Sequence, residues 1–313
     1  MSHPSIPAPR PVPLSVSPPV SSAAAYGSIF RPGLFEDRAY LITGGGSGIG
    51  LKLARELTSL GARVALIGRD AAKLERARES LGESGRAAFV YTCDIRDEGG
   101  VTATVSQALH DLQRIDGLVN NAGGQFFSPA EAISANGWDA VVRNNLTGGF
   151  LMAREVYRQY MKAQNGGVIV NMLADMWMGM PGMAHSGAAR AGMLNLTETL
   201  AYEWAPIRVN AVAPGWIASS GLETYPDRYR PMIDRFASLV PAGRLGTEAE
   251  VSAAITFLLS PAAAFISGST LRIDGAVPNR REHWKVAAHG ETAAFGGDSA
   301  GNGAPVDSQG SGA

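Results

Sequence analysis

A single cysteine, Cys93, stands in 313 residues, so the chain forms no internal disulfide and suits a reducing compartment. An excess of charge is also lacking: 27 Lys and Arg face 28 Asp and Glu, a formal net charge of -1. That balance excludes a basic surface for nucleic acid or acidic membranes. No apolar run approaches transmembrane length. The first residues lack a cationic start followed by an apolar block, so no secretory leader is expected, and Gly310-Ser311-Gly312-Ala313 is not a peroxisomal Ser-Lys-Leu signal. A cytoplasmic location is expected. No cluster of metal ligands is read.

What is present divides the chain in three. Residues 1–32, rich in Pro, Ser and Ala, and residues 281–313, rich in Gly, Ala and Ser, read as largely disordered tails around one domain at 33–280. Within the domain, short apolar runs alternate with amphipathic stretches. The strand readings are Ala39–Ile42, Arg63–Ile67, Ala88–Thr92, Gly117–Asn120, Gly167–Asn171, Arg208–Val212 and Ser269–Ile273. Helical patterns between them include Trp138 to Met161 and Ala188 to Glu203. Strands buried on both faces and separated by helices predict an α/β fold, a doubly wound parallel sheet with helices on both faces.

Glycine carries the strongest signal. Thr43-Gly44-Gly45-Gly46-Ser47-Gly48-Ile49-Gly50 follows the first strand and opens a helical pattern at Leu51. A strand, a glycine-rich turn and a helix make an anion site, because the helix N-terminus has free N–H groups and glycines let a pyrophosphate reach the main chain. Gly44, Gly46, Ser47, Gly48, Ile49 and Gly50 are therefore candidate cofactor contacts.

In order along the chain, these motifs resemble the short-chain dehydrogenase/reductase family over nearly all of residues 35–278, which implies a Rossmann-type sheet and a homotetramer or homodimer. The resemblance implies that Asp94 and Ile95 lie beside the adenine. It places Asn121, Ala122 and Gly123 against the cofactor, and Pro214, Gly215 and Ile217 near the nicotinamide carboxamide. Asn145 corresponds to the family's helix asparagine, and Ile273-Asp274-Gly275-Ala276 resembles its closing strand and turn. An acid about twenty residues past the glycines would select NAD(H), and an arginine there NADP(H). In the family register that acid falls at Gly68, and Arg69 is placed to fork onto a phosphate. NADP(H) is favoured over NAD(H), with Asp70 as the rival selector of the latter.

The family's Ser, Tyr-x-x-x-Lys and Asn set is not intact. With register fixed by Val170-Asn171 and Ala191-Gly192-Met193, the tyrosine position is Ser186, the lysine position is Arg190 and the serine position is Leu173 or Ala174. Ser186 and Arg190 are four apart and share one helix face. A guanidinium holds ribose hydroxyls or negative charge but passes no proton near neutral pH, so the pair suits oxyanion stabilisation better than protonation. That points to hydride addition at the β-carbon of an enoyl thioester. Ser186, with Asn145 through water, would hold the enolate oxygen.

Two branches of the family share further stretches. Gly123 to Glu131 and His185 to Gly192 resemble the peroxisomal trans-2-enoyl-CoA reductases. Asn171 to Met183 and Gly215 to Gly221 resemble bacterial citronellol/citronellal dehydrogenases. The second implies oxidation of an acyclic alcohol, with Asp175 or His185 as acid/base; a cofactor-binding protein without turnover is a third reading. The substrate is expected to be a small molecule with an acyl-CoA or prenyl-type chain. Met172, Met176, Met178, Met180 and Met183, with Trp177, are read as walling its pocket, and residues 218–240, including Tyr225, Pro226, Tyr229 and Arg230, as a variable lid. Tyr157, Tyr160 and Tyr202 are read as packing residues, and Thr197, Leu200 and Ala201 lie on the helix whose outer face makes subunit contacts in the family.

Overall fold

The computed structural model describes residues 28–219, 222, 225–280 and 290–296. All five positions of β1 (Ala39–Thr43) are buried, as a strand covered by helices on both sides requires. With it run β2 (Arg63–Gly68), β3 (Ala88–Thr92), β4 (Gly117–Asn120), β5 (Val168–Met172) and β6 (Arg208–Pro214). A short parallel pair, β7 (Ile217–Ala218) and β8 (Gly246–Thr247), precedes β9 (Thr270–Ile273). The main sheet is parallel, in the order β3-β2-β1-β4-β5-β6-β9. The winding reverses between β1 and β4, and the crevice at their carboxyl ends is where such a sheet takes its ligand.

One face is covered by α1 (Gly48–Ser59), α2 (Ala71–Ser80) and, late in the chain, the helix Glu248–Leu259. Leu53 and Leu57 of α1 pack there with Val251, Ile255 and Leu258. The other face buries Val101, Val105 and Leu112 of α3 (Glu98–Leu112) against Leu151, Met152 and Val156. The last three belong to α5 (Gly148–Val156), which continues α4 (Ala135–Val142) through a π-helical turn, Arg143–Thr147. Next come α6 (Lys162–Gln164) and α7 (Ala184–Glu203). Polar residues stop and start these helices: the Asp70 carboxylate accepts the Lys73 N–H at 2.9 Å, and Thr247 and Glu250 form a capping box.

The elements follow the sequence pattern, with four differences. The α7 helix begins at Ala184, four residues before the Ala188 read from the pattern, so Ser186 lies in its first turn. Tyr157 stacks on Trp204 at 4.3 Å, whereas Tyr202, read as a packing residue, is 89% exposed. Thr197 and Leu200 face the protein's own core, where the Thr197 hydroxyl donates to Met193 O and accepts from the Asn171 side chain. Finally, residues 290–296, inside the stretch read as tail, lie against the β8 end: Arg244 donates to Thr292 O (2.8 Å) and Ala293 O (2.9 Å), and Thr247 Oγ1 to Phe295 O (2.6 Å). The rest of 281–313, apart from those seven residues, and residues 1–27 fall outside the described residues, as do Ser220, Gly221, Glu223 and Thr224 of the 218–240 reading. Among the described residues no helix is long and apolar enough to cross a membrane.

Candidate active site

The glycine turn closes on the end of β4. Thr43 Oγ1 accepts the N–H groups of Asn121 and Ala122, each at 3.0 Å, and the Asn121 amide donates to Thr43 O (2.9 Å) and Gly44 O (3.2 Å). Gly44 (φ +66°) and Gly48 (φ +59°) hold left-handed backbone, which glycine adopts without strain. Gly50 is needed for closeness: a Cβ there would stand 2.4 Å from Gly44 O. Space for a ligand is thus kept by residues that have no side chain, directly before the free N–H groups of α1.

A cavity of about 620 Å³ opens along this turn. Of the residues read as cofactor contacts, Gly44, Gly46, Ser47, Gly48, Ile49, Arg69, Asp94, Ile95, Asn121, Ala122 and Gly123 line it. Gly50, Arg190, Pro214, Gly215 and Ile217 do not; they stand behind or beyond it. The lining also includes Lys73, Cys93, Asn144 and Ser219, which the sequence reading did not assign to the cofactor. For Lys73 a signal existed, since it lies one helical turn past Asp70 at the start of α2. Asp94 is gripped by Arg96, whose Nη2 donates at 2.6 Å, and that hydrogen bond holds its carboxyl down at about 2, with the Arg69 charge adding to the effect.

At the carboxyl end of β5 the site changes character. Leu173, at the serine position, is a core residue packed with Met193, Ala211 and Ala213. Ser186 and Arg190 are both buried on the inner face of α7. The Arg190 Nη1 donates to Met172 O at 2.5 Å, its Nε has no partner, and burial alone pushes the guanidinium down to about 10. It therefore keeps its charge at neutral pH. Gly123 makes room for it: a Cβ there would meet Arg190 Nη2 at 2.5 Å and Asn145 Oδ1 at 2.7 Å.

Asn145 sits in the π-helical turn and spends its amide on one residue, accepting from Gly124 N–H (3.0 Å) and donating to Gly124 O (2.8 Å). It anchors the loop after β4 rather than facing substrate. The Ser186 hydroxyl donates to Gln125 Oε1 at 2.7 Å, and its N–H donates to Nδ1 of His185. The fully buried His185 meets Phe126 edge-on at 4.3 Å, and its Nε2 has no partner. Asp175 does not join this group. The charges acting on it come from Asp274 and Arg272 beside β9; burial first, then Asp274, raises its carboxyl, and its Oδ1 has no hydrogen bond. Of the methionines, Met172 and Met183 are buried, Met176 and Trp177 pack on the Leu173 cluster, and Met178 is exposed. Among the described residues no group of three or more His, Cys, Asp or Glu is arranged to hold a metal.

Comparison with known proteins matches this fold. The family model described as Enoyl-(Acyl carrier protein) reductase covers residues 44–277. A probable 2,4-dienoyl-CoA reductase of Bacillus subtilis is 37% identical over 244 residues, 77% of this chain and 96% of the relative. Among solved structures, a citronellol catabolism dehydrogenase of Pseudomonas aeruginosa PAO1 is 54% identical, with a TM-score of 0.72 over 81% of this chain and all of the other. A variant of actinorhodin polyketide ketoreductase, solved with NADPH, is 32% identical, with a TM-score of 0.73 over 78% of this chain and 98% of that one. The chain is an oxidoreductase and belongs to the short-chain dehydrogenase/reductase family, whose fold binds a nicotinamide dinucleotide.

Proposed function

We propose that this chain reduces the C=C bond of trans-2-enoyl-CoA thioesters with NADP(H). The observation that carries the reading is Arg190, a buried guanidinium packed directly against Gly123 of the loop after β4, where a Cβ would stand 2.5 Å from its Nη2. The residues fit the dinucleotide: the cradle at Gly44, Gly48 and Gly50 is one that added Cβ atoms would strain or fill, at a helix N-terminus suited to phosphate. When bound, the dinucleotide supplies a hydride. Arg69 and Lys73 both line the cavity, and two cations suit a 2′-phosphate. Asp70, the rival selector, already caps α2. The NADPH-bound ketoreductase supports the same choice.

In this reading Arg190, set behind Gly123, places its charge against the cofactor cavity and offsets negative charge that develops on the thioester oxygen. The nearby Ser186 hydroxyl supplies a neutral donor to that oxygen once substrate enters. Neither Arg190 nor Ser186 must release a proton for the charge to be stabilised. The dienoyl-CoA reductase relative supports an acyl-CoA substrate.

A second reading, oxidation of an acyclic terpenoid alcohol, is favoured by the 54% identity to the citronellol catabolism dehydrogenase. It requires a base where Leu173 and Ser186 stand; the Asp175 carboxyl feels the charges of Asp274 and Arg272, and His185 is fully buried against Phe126. The test is NADPH consumption by purified protein with a series of trans-2-enoyl-CoAs, beside citronellol with NADP+ and NAD+. Consumption with the thioesters is expected. Turnover of citronellol alone would replace the first reading by the second, and cofactor binding without either would leave a non-catalytic dinucleotide-binding protein.

A further inference from the structure

The site lacks the family's proton donor, and the residues around the motif helix do not replace it. Arg190 stays charged at neutral pH. Asn145 is spent on Gly124, Asp175 answers to Asp274 and Arg272, the Ser186 proton is directed at Gln125, and His185 is fully buried, its Nδ1 taken by the Ser186 N–H and its ring set edge-on to Phe126. The hydrogen bonds do not stop at Gln125. Accepting from Ser186 through Oε1 fixes the Gln125 amide, and its Nε2 then donates to the Tyr225 hydroxyl at 3.2 Å. The Tyr225 oxygen is thus an acceptor in this chain, so its own O–H proton is left to point elsewhere. The same Nε2–H would stabilise the phenolate left behind when that proton departs.

The ring is held where this matters. It packs on Phe127 at 4.7 Å, and Phe127 also packs on Tyr229 at 4.9 Å, whose hydroxyl reaches Phe127 O at 3.5 Å. Phe127 and Gln125 belong to the loop after β4, the one whose Gly124 is pinned to Asn145 and whose Gly123 lies on Arg190. One loop therefore touches the charge-holding arginine, the motif serine and this tyrosine. Tyr225 is half-buried, which leaves its oxygen within reach of water.

We propose that Tyr225 is the proton-transferring residue of this site and that Gln125 is the residue that positions it. The inference rests on the enoyl-reductase reading for its chemistry. When bound, the reduced dinucleotide would supply the hydride that bonds to the β-carbon and be oxidised in doing so; the C=C π pair would then form the α-carbon–carbonyl double bond of an enolate as the C=O π pair moves to the thioester oxygen. The enolate re-forms the carbonyl as its α-carbon takes the Tyr225 proton, and the phenolate is reprotonated by water. In an alcohol oxidation the same hydroxyl, as phenolate, would accept the proton.

The experiment uses the full chain with Tyr225→Phe and Gln125→Leu, singly and together. Each is assayed with trans-2-decenoyl-CoA and NADPH and with citronellol and NADP+, and NADPH binding is measured by calorimetry. Tyr225→Phe is expected to lower kcat about 100-fold, with KM and the NADPH Kd within about twofold of wild type, as loss of a general acid requires. Gln125→Leu is expected to lower kcat about tenfold, and the double variant to be no worse than Tyr225→Phe, because Gln125 acts through Tyr225. A Tyr225→Phe enzyme within about threefold of wild-type kcat on the substrate the wild type uses overturns the proposal. Wild-type turnover of citronellol alone, lost in Tyr225→Phe, supports Tyr225 and overturns the enoyl reading. Wild-type protein that turns over neither substrate overturns both.

Discussion

Replacing Arg190 by methionine should stabilise the protein without cofactor while disabling it as an enzyme. Burial alone lowers the guanidinium from its ordinary value to about 10, a displacement of roughly two and a half powers of ten. At about 1.4 kcal/mol per power of ten, keeping this charge from water costs the fold about 3 kcal/mol. Methionine matches the length of the stem and adds no polar atom. Against the gain stands the bond from Nη1 to Met172 O, whose loss costs about 1–2 kcal/mol. The net expectation is about 1–2 kcal/mol of added stability, or roughly 3–6 °C in Tm for a domain of this size. The lower pKa belongs to the folded state, so the cost is fully present below about pH 10 and relieved only above it. The gain should therefore be constant across the neutral range. Thermal unfolding without dinucleotide, with NADPH binding measured alongside, reads both effects. A methionine variant that melts well below wild type, or one that binds and uses NADPH normally, would refute the reasoning.

Three further outcomes follow from the same geometry. Gly50→Ala puts a methyl 2.4 Å from Gly44 O and should cost about 1–3 kcal/mol while abolishing the thermal shift given by NADPH; a normal shift would show that the cradle tolerates it. Asp70→Ala should cost about 1 kcal/mol through the lost cap and leave the NADPH-to-NADH preference unchanged, whereas Arg69→Ala should weaken NADPH and spare NADH, as dissociation constants for the two cofactors will show. Asp175→Asn should raise Tm at neutral pH. The Asp175 carboxyl is raised in the fold, so its charged form is a burden that appears as pH climbs past the ordinary carboxylate value; the advantage of asparagine should vanish in acid, and one that grew there would contradict the assignment.

The sheet and the phosphate cradle were legible because their signals are local. Seven apolar runs and Thr43–Gly50 carry their meaning in a few adjacent residues, and the strands differ from the reading by a residue or two at their ends. The replacement of the motif by Ser186 and Arg190 was legible for the same reason. What could not be read is where side chains turn. Asp175 stands near the motif in sequence, yet it answers to charges on β9, and Asn145 is consumed by Gly124. Thr197 and Leu200 turned inward because the helix buries the face that meets the Asn171 amide, while Tyr202 on the opposite face is bare. Gln125 meets Ser186 across 61 residues of sequence and Tyr225 across 100, contacts set by loop conformation that no periodicity encodes. The C-terminal contacts at 290–296 were hidden by a composition that reads as tail, since they are made through main-chain carbonyls.

The central claim, that this site reduces a C=C bond and not a carbonyl, is tested most directly by tracing the hydride. NADPH deuterated at the transferred position of its nicotinamide ring is turned over with a trans-2-enoyl-CoA, and the product is read by NMR. The account predicts a saturated thioester carrying deuterium at the β-carbon and solvent-derived hydrogen at the α-carbon. An unchanged thioester, in protein that moves the label to the carbonyl carbon of citronellal, would contradict it.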